Sequence, residues 1–246
     1  MRGNSSHERT VLVFGARTDD QEVGAGGTVA RLAQDRARVI LIDLEDPDDP
    51  TRGVAPGFHD REAKAAALIL SAPPTGEHPA SSVTREKLAL PYRDPARARA
   101  TALETARVLR RERPALVLGP DPVGAHPDHG RLADLLERAR HAAADPSAPI
   151  EEQPLRIGPA LRYHLPGSGR IAEPSLVTDI SSVVDQKRRS IESYHSLYVL
   201  PDAGRERLAS AEAMTRYFGS RIGAAHGEPL STTGPIGLDG LGGLLV

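Results

Sequence analysis

The sequence predicts an α/β fold: a Rossmann-like three-layer sandwich with a mostly parallel sheet and helices on both faces. Three observations carry that expectation. Residues 10–14, 38–44 and 114–120 are short apolar runs, rich in Val, Leu and Ile and bounded by Gly, Asp or Pro, which is the pattern of buried strands. Segments of helical period lie between them, so successive strands are joined by right-handed crossovers and run parallel. The chain has 246 residues, which suits one large domain over residues 1–246, with a flexible lead over 1–9 and a Pro- and Gly-rich arm over 234–246.

The elements follow in order. The first strand, 10–14, stops at Gly15, and a charged loop over 15–23 leads into a helix over about 24–34, whose Gly24, Gly26 and Gly27 let its first turn approach the sheet closely. The second strand occupies 38–44. An acidic loop rich in Pro and Gly covers 45–57, an Ala-rich helix 59–70, and a loop rich in Pro, Ser and Thr 71–84. A helix over 97–113 precedes the strand at 114–120, with its exit loop over 121–127 and a helix over 129–143. Strands near 160–165 and 175–180 and helices near 182–196 and 205–222 complete the pattern.

Composition excludes several function classes. Hydrophobic residues make up 39% and charged residues 26%, with no apolar run near a membrane span. Aromatics are 3% with no Trp and the net charge is -2, so neither base stacking nor a basic surface points to nucleic acid. Three of the 31 basic residues are Lys and the rest Arg, a skew that suits phosphate or carboxylate recognition but in an Ala- and Arg-rich chain more often reflects base composition. The absence of Cys confines any metal to His, Asp and Glu. The opening residues hold no apolar segment of a signal peptide, so a cytoplasmic location is expected.

Ligands of open parallel sheets bind outside the carboxyl ends of the strands, here the loops 15–23, 45–57 and 121–129. Two of these concentrate metal-type groups: Asp19, Asp20 and Glu22 in the first, and His126, Asp128 and His129 in the third. Two histidines spaced three apart at a strand-to-helix junction, with carboxylates from a neighbouring loop, match a zinc site. Water on such an ion is acidified to a pKa of roughly 7, and a spare carboxylate can take its proton as it attacks a carbonyl. The chemistry implied is hydrolysis. Taken singly, an Asp pair before a helix is more often a cap, and a lone His a surface residue.

Together, Gly15-Ala-Arg-Thr-Asp-Asp-Gln-Glu-Val-Gly-Ala-Gly-Gly27 and His126-Pro-Asp-His129 resemble the two signature motifs of the PIG-L/LmbE-like zinc N-deacetylases, Ala-His-Pro-Asp-Asp-x-Glu and His-Pro-Asp-His. The resemblance extends through Asp43-Leu, Thr51-Arg-Gly53, Arg113-Pro114, Thr178-Asp-Ile180, Lys187, Gly219-Ser-Arg-Ile-Gly223 and Glu228-Pro229, and is greatest to the bacillithiol-biosynthesis branch, which acts on N-acetylglucosaminyl-malate. It implies Asp19 as general base, Asp20 and His129 as ligands of zinc or another divalent metal, His126 near the oxyanion and leaving amine, Asp128 tuning His126, and Arg52 as a substrate contact. An amino-sugar conjugate as substrate and an assembly of identical subunits are expected on the same ground.

The departures cluster at the same place. Arg17 stands where the family has its first metal-binding His, and a guanidinium cannot be deprotonated to bind a metal. Arg17 is instead expected to pair with Asp19 or Asp20. Tyr92, Gly124-Ala125 and Leu197 also depart from the branch, while His164, His195 and His226 are unassigned candidates for a replacement ligand. Two functions stay open: a metal-dependent amidase that removes acetyl from an amino sugar, or a catalytically impaired homologue that binds a glycoside or scaffolds an active paralogue. Dinucleotide binding is weaker, because Gly24-Ala-Gly-Gly-Thr-Val29 lacks the last Gly of that fingerprint.

Overall fold

A computed structural model describes residues 9–44, 58–71, 83–88, 90–123, 126–167, 173–232 and 234–237. The expected loop over 45–57, with Arg52, lies outside the described residues, as do nearly all of the expected lead and most of the C-terminal arm. In chain order the elements are β1 (Thr10–Gly15), α1 (Asp20–Gln34), β2 (Arg38–Asp43), α2 (Phe58–Ser71), β3 (Val83–Lys87), α3 (Ala98–Glu112), β4 (Leu116–Pro120), α4 (Pro127–Ala144), β5 (Leu161–Tyr163), β6 (Leu176–Asp179), α5 (Val184–Glu192), α6 (Asp202–Ser220) and β7 (Gly227–Thr232). A turn of π-helix, His195–Val199, joins α5 to α6.

The strands form one seven-stranded sheet in the order β3-β2-β1-β4-β5-β7-β6. Strands β1 to β5 are parallel, with Val11 opposite Val39 on one side and Leu116 on the other. Only β7 runs antiparallel, between β5 and β6. Alternation along the strands splits the core in two. Val11, Val13, Val39 and Leu41 pack with α1, α2, α5 and α6 on one face. Leu12, Phe14, Ile40 and Ile42 pack with α3 and α4 on the other. The expected three layers are there.

Four local expectations are corrected. Helix α1 starts at Asp20, not near Gly24, so Asp20 and Glu22 belong to its first turn and not to a loop. Strand β3 lies at the end of the expected 71–84 loop: Val-Thr-Arg-Glu-Lys has no apolar run, because this edge strand turns Arg85 inward to buried carboxylates. Strand β7 was not expected, since Glu228 and Pro229 interrupt any strand pattern. The expected 182–196 helix ends at Glu192, and the π turn takes over its last residues.

Glu228 enters the core because a cation meets it there. Lys187 Nζ on α5 donates to Glu228 Oε1 (2.5 Å) and to Val23 O (2.8 Å), while Gly27 and Thr28 N–H donate to the same carboxylate at 2.8 and 2.6 Å. One buried ion pair therefore ties α1, α5 and β7 together. The glycines of α1 allow that closeness: a Cβ at Gly24 would stand 2.2 Å from the Tyr163 ring, and one at Gly27 2.7 Å from Ile180. No helix among the described residues is long and apolar enough to cross a membrane.

Candidate active site

Strands β1 and β4 are adjacent, yet the helices that follow them leave on opposite faces, α1 with one core and α4 with the other. The strand order reverses here, and an open crevice is left beyond the carboxyl ends of both strands. Asp19 holds the N-cap position of α1 without a side-chain capping bond to the helix, and Asp20 begins α1; His126 caps α4 through its side chain, and Asp128 and His129 lie in the first turn of α4. Short chain segments thus bring both acidic and both histidine groups to one place.

They line a cavity of about 250 Å³ shared by Arg17, Asp19, Asp20, His126, His129 and Tyr198. Asp20 Oδ2 accepts the Arg17 backbone N–H (2.9 Å) and stands 3.4 Å from His129 Nε2. Burial raises the Asp20 pKa, and His129 opposes the rise. The expected pairing of Arg17 is with Asp19, whose Oδ1 lies 3.9 Å from Arg17 Nε. The other Asp19 oxygen, Oδ2, accepts the Tyr198 hydroxyl at 2.6 Å. Burial and Asp19 both push the Tyr198 pKa well up, so this phenol stays a proton donor.

His126 Nδ1 accepts the Asp128 N–H at 3.3 Å, which leaves Nε2 of the neutral ring to carry the proton. On protonation, Nδ1 faces Asp128 Oδ2 at 3.4 Å. Burial would raise the Asp128 pKa, but Arg93 (Nη2, 2.6 Å) and Arg131 (Nη1, 2.6 Å) outweigh it and hold the carboxyl below its ordinary range. Asp128 is therefore an ionised partner for an imidazolium.

A second polar layer supports the loop from below. Arg85 bridges Glu22 and Asp43 and donates to Thr18 O (3.1 Å), which also accepts the Tyr194 hydroxyl (2.8 Å). Burial pushes the Glu22 pKa up to about 7 against the pull of Arg85. Tyr198, Arg85 and the pocket residue Arg207 were not singled out as site residues in the sequence. Tyr198 lies in a segment that stands out in the sequence only for the expected departure at Leu197, and an Arg on a helix or an edge strand carries no signal among so many.

The chemistry of the donors tests the metal. Both ring nitrogens of His129 are buried without a hydrogen-bond partner, and Nε2 faces a carboxylate, which fits two ligands of a divalent ion. Among the described residues no three His, Asp or Glu side chains gather to hold a metal, so the three-ligand centre is not matched. None of the three candidate replacements lines the cavity. His226 Nδ1 meets Thr215 Oγ1 (3.0 Å), His164 Nε2 meets Ser231 Oγ (2.7 Å), and His195 is exposed at the start of the π turn. Tyr92 donates to Ala16 O (3.2 Å), and Leu197 packs against the core. Gly124 and Ala125 lie outside the described residues.

Comparison with known proteins decides the family. The sequence model of PIG-L, GlcNAc-PI de-N-acetylase, matches residues 12–140, which contain both motifs. The chain belongs to the PIG-L family. A diacetylchitobiose deacetylase of Thermococcus kodakarensis is 27% identical over 199 residues, 77% of this chain and 70% of that protein. The crystal structure of the conserved protein TT1542 from Thermus thermophilus superposes with a TM-score of 0.78 at 28% identity, covering 93% of this chain and 96% of that one. The fold is also that of GalB, the 4-carboxy-2-hydroxymuconate hydratase of Pseudomonas putida, with a TM-score of 0.73, 20% identity and coverage of 95% and 99%. A PIG-L fold alone therefore does not fix the reaction.

Proposed function

We propose that this PIG-L protein is an N-deacetylase that hydrolyses the acetamide of an amino-sugar conjugate, with N-acetylglucosaminyl-malate as the model substrate from the sequence resemblance. The observation that carries the reading is the gathering of Asp19, Asp20, His126 and His129 around one cavity at the β1/β4 crevice. Asp19 takes the proton of the attacking water, with the Tyr198 hydroxyl fixing its carboxylate. His126 gives a proton to the departing amine as the C–N bond breaks, and Asp128 stabilises the imidazolium that precedes that transfer. Asp20 and His129 would hold a divalent ion, which when bound polarises the carbonyl and acidifies the water. Arg52 is carried over as a substrate contact.

Arg17 favours a second reading. Its guanidinium brings a fixed positive charge to the cavity and an ion pair to the proposed base, both of which oppose metal binding and proton abstraction. On this reading the protein binds the glycoside, or partners an active paralogue, without turning it over. Assay of N-acetylglucosaminyl conjugates with and without added zinc separates the two. Acetate release that Asp19→Ala abolishes supports the enzyme, whereas saturable glycoside binding with no release at any zinc concentration supports the impaired homologue.

A further inference from the structure

A second cavity, about 310 Å³, lies beside the active-site pocket and shares no lining residue with it. Asp128, buried and lining neither, links the two: its carboxylate contacts His126 of the first and Arg93 and Arg131 of the second. The walls of the second bring together three guanidiniums, Arg93, Arg131 and Arg138, and one carboxylate, Asp134, with Tyr92, Leu135 and Thr101. Arg131 bonds Asp128 and Arg138 bonds the exposed Asp134, each through a single nitrogen, at 2.6 and 2.7 Å. Most of the five donors on each of these two side chains are thus left for a ligand.

The independent sign of a ligand is Thr101. It is 2% exposed, lines the cavity, and its hydroxyl has no hydrogen-bond partner. Buried hydroxyls are nearly always satisfied, and a threonine in a helix ordinarily finds the carbonyl one turn back. One turn on, Thr105 does so, its hydroxyl donating to Thr101 O at 2.9 Å. A buried donor without a partner beside forked guanidiniums matches an oxyanion, for which arginine supplies parallel donors.

We propose that this cavity binds a phosphate or carboxylate group, gripped by Arg131 and Arg138 with the Thr101 hydroxyl as a further donor. Leu135 and the Tyr92 ring give the body that carries the anion an apolar wall. The anion is either a free small molecule or the charged arm of a conjugate seated in the neighbouring pocket. Either way it engages a guanidinium that holds Asp128, one contact from His126.

Calorimetric titration of inorganic phosphate into the full chain at low ionic strength tests the site without reference to deacetylation. Saturable binding is expected, weakened about tenfold or more by Arg138→Glu and several-fold by Thr101→Val, and unaffected by Arg188→Glu on the opposite face. Thr101→Val should leave Tm unchanged or higher, since it removes an unsatisfied hydroxyl. Absence of saturable binding, or equal affinity in all three variants, overturns the proposal. A second arm identifies the source. If Arg138→Glu raises KM for a phosphorylated N-acetylglucosaminide and not for a neutral one, the anion is part of the substrate; if neither KM moves while phosphate binding falls, it is a separate small molecule. If no glycoside is turned over, the phosphate titration still decides, and only the deacetylase reading falls.

Discussion

Arg17 and Tyr198 divide Asp19 between them: the guanidinium faces one carboxylate oxygen and the phenol donates to the other. Losing a partner of a metal ligand already costs ~10–100-fold in affinity, and replacing a ligand by a cation costs more. On the proposed reading, Asp20 and His129 hold the ion and Arg17 stands at the place of a third ligand. Zinc is then expected well below one equivalent after dialysis of the unmodified protein, and near one equivalent in Arg17→His, where an imidazole would join Asp20 and His129. Elemental analysis of the two proteins, dialysed together, checks this; full occupancy in the unmodified protein would falsify it. On the proposed reading, in which Asp19 acts as the base carboxylate, Tyr198→Phe keeps the ring and removes one hydrogen bond to it, a contribution of about 1.5–3 kcal/mol, so kcat should fall roughly 10–100-fold with little change in KM. A change in KM alone would place Tyr198 in substrate binding and not in orienting the proposed base, Asp19.

At the scale of elements, the molecule relies on a buried ion pair where the sheet changes direction. Strand β7 runs against its neighbours and carries a Pro and a buried Glu, and it stays in place because Lys187 neutralises that Glu beside α1. Lys187→Met leaves Glu228 buried without its cation, which should cost about 3–5 kcal/mol in urea unfolding. Adding Glu228→Gln removes the stranded charge, and part of that loss should return. A single mutant as stable as the parent would mean that β7 is held by its backbone ladder alone. The π turn is held differently, by close packing: a Cβ on Gly204 of α6 would stand 2.1 Å from Leu197 O, next to the residue that reaches Asp19.

For the whole molecule, the groups that lose water on folding set the response to pH. Burial lowers the pKa of His164, which stands 2% exposed with its Nε2 2.7 Å from Ser231 Oγ. The unfolded chain then binds a proton that the folded chain does not, so the stability present above the ordinary His value of about 6.5 is lost as pH falls through it. Asp20 and Glu22, whose pKa values are raised by burial, act with the opposite sign, because the folded chain keeps their protons at higher pH. Comparison with His164→Asn isolates the histidine: the fall in Tm between about pH 7.5 and about pH 5.5, which brackets the ordinary His value, should be smaller in the variant. Identical falls in both proteins would show that His164 does not couple folding to protons.

Much of the fold, and the residues that gather at the candidate site, were legible in the sequence because they rest on local patterns. The apolar runs of β1, β2 and β4 are buried on both faces and need no context to be read, and Asp19, Asp20, His126 and His129 sit in or just after the loops that leave the ends of β1 and β4. The shared motifs carried the family as well. What only the tertiary structure decided depends on partners far apart in the chain. Strand β3 looks polar until Arg85 meets Glu22 and Asp43, and β7 looks like a loop until Glu228 meets Lys187. Tyr198 reaches Asp19 from 179 positions away, and His226, His164 and His195 could be set aside as replacement ligands only once their places were known. A charged residue is expensive to bury alone and inexpensive to bury beside its opposite. Sequence shows the charge, and only the folded chain shows the partner.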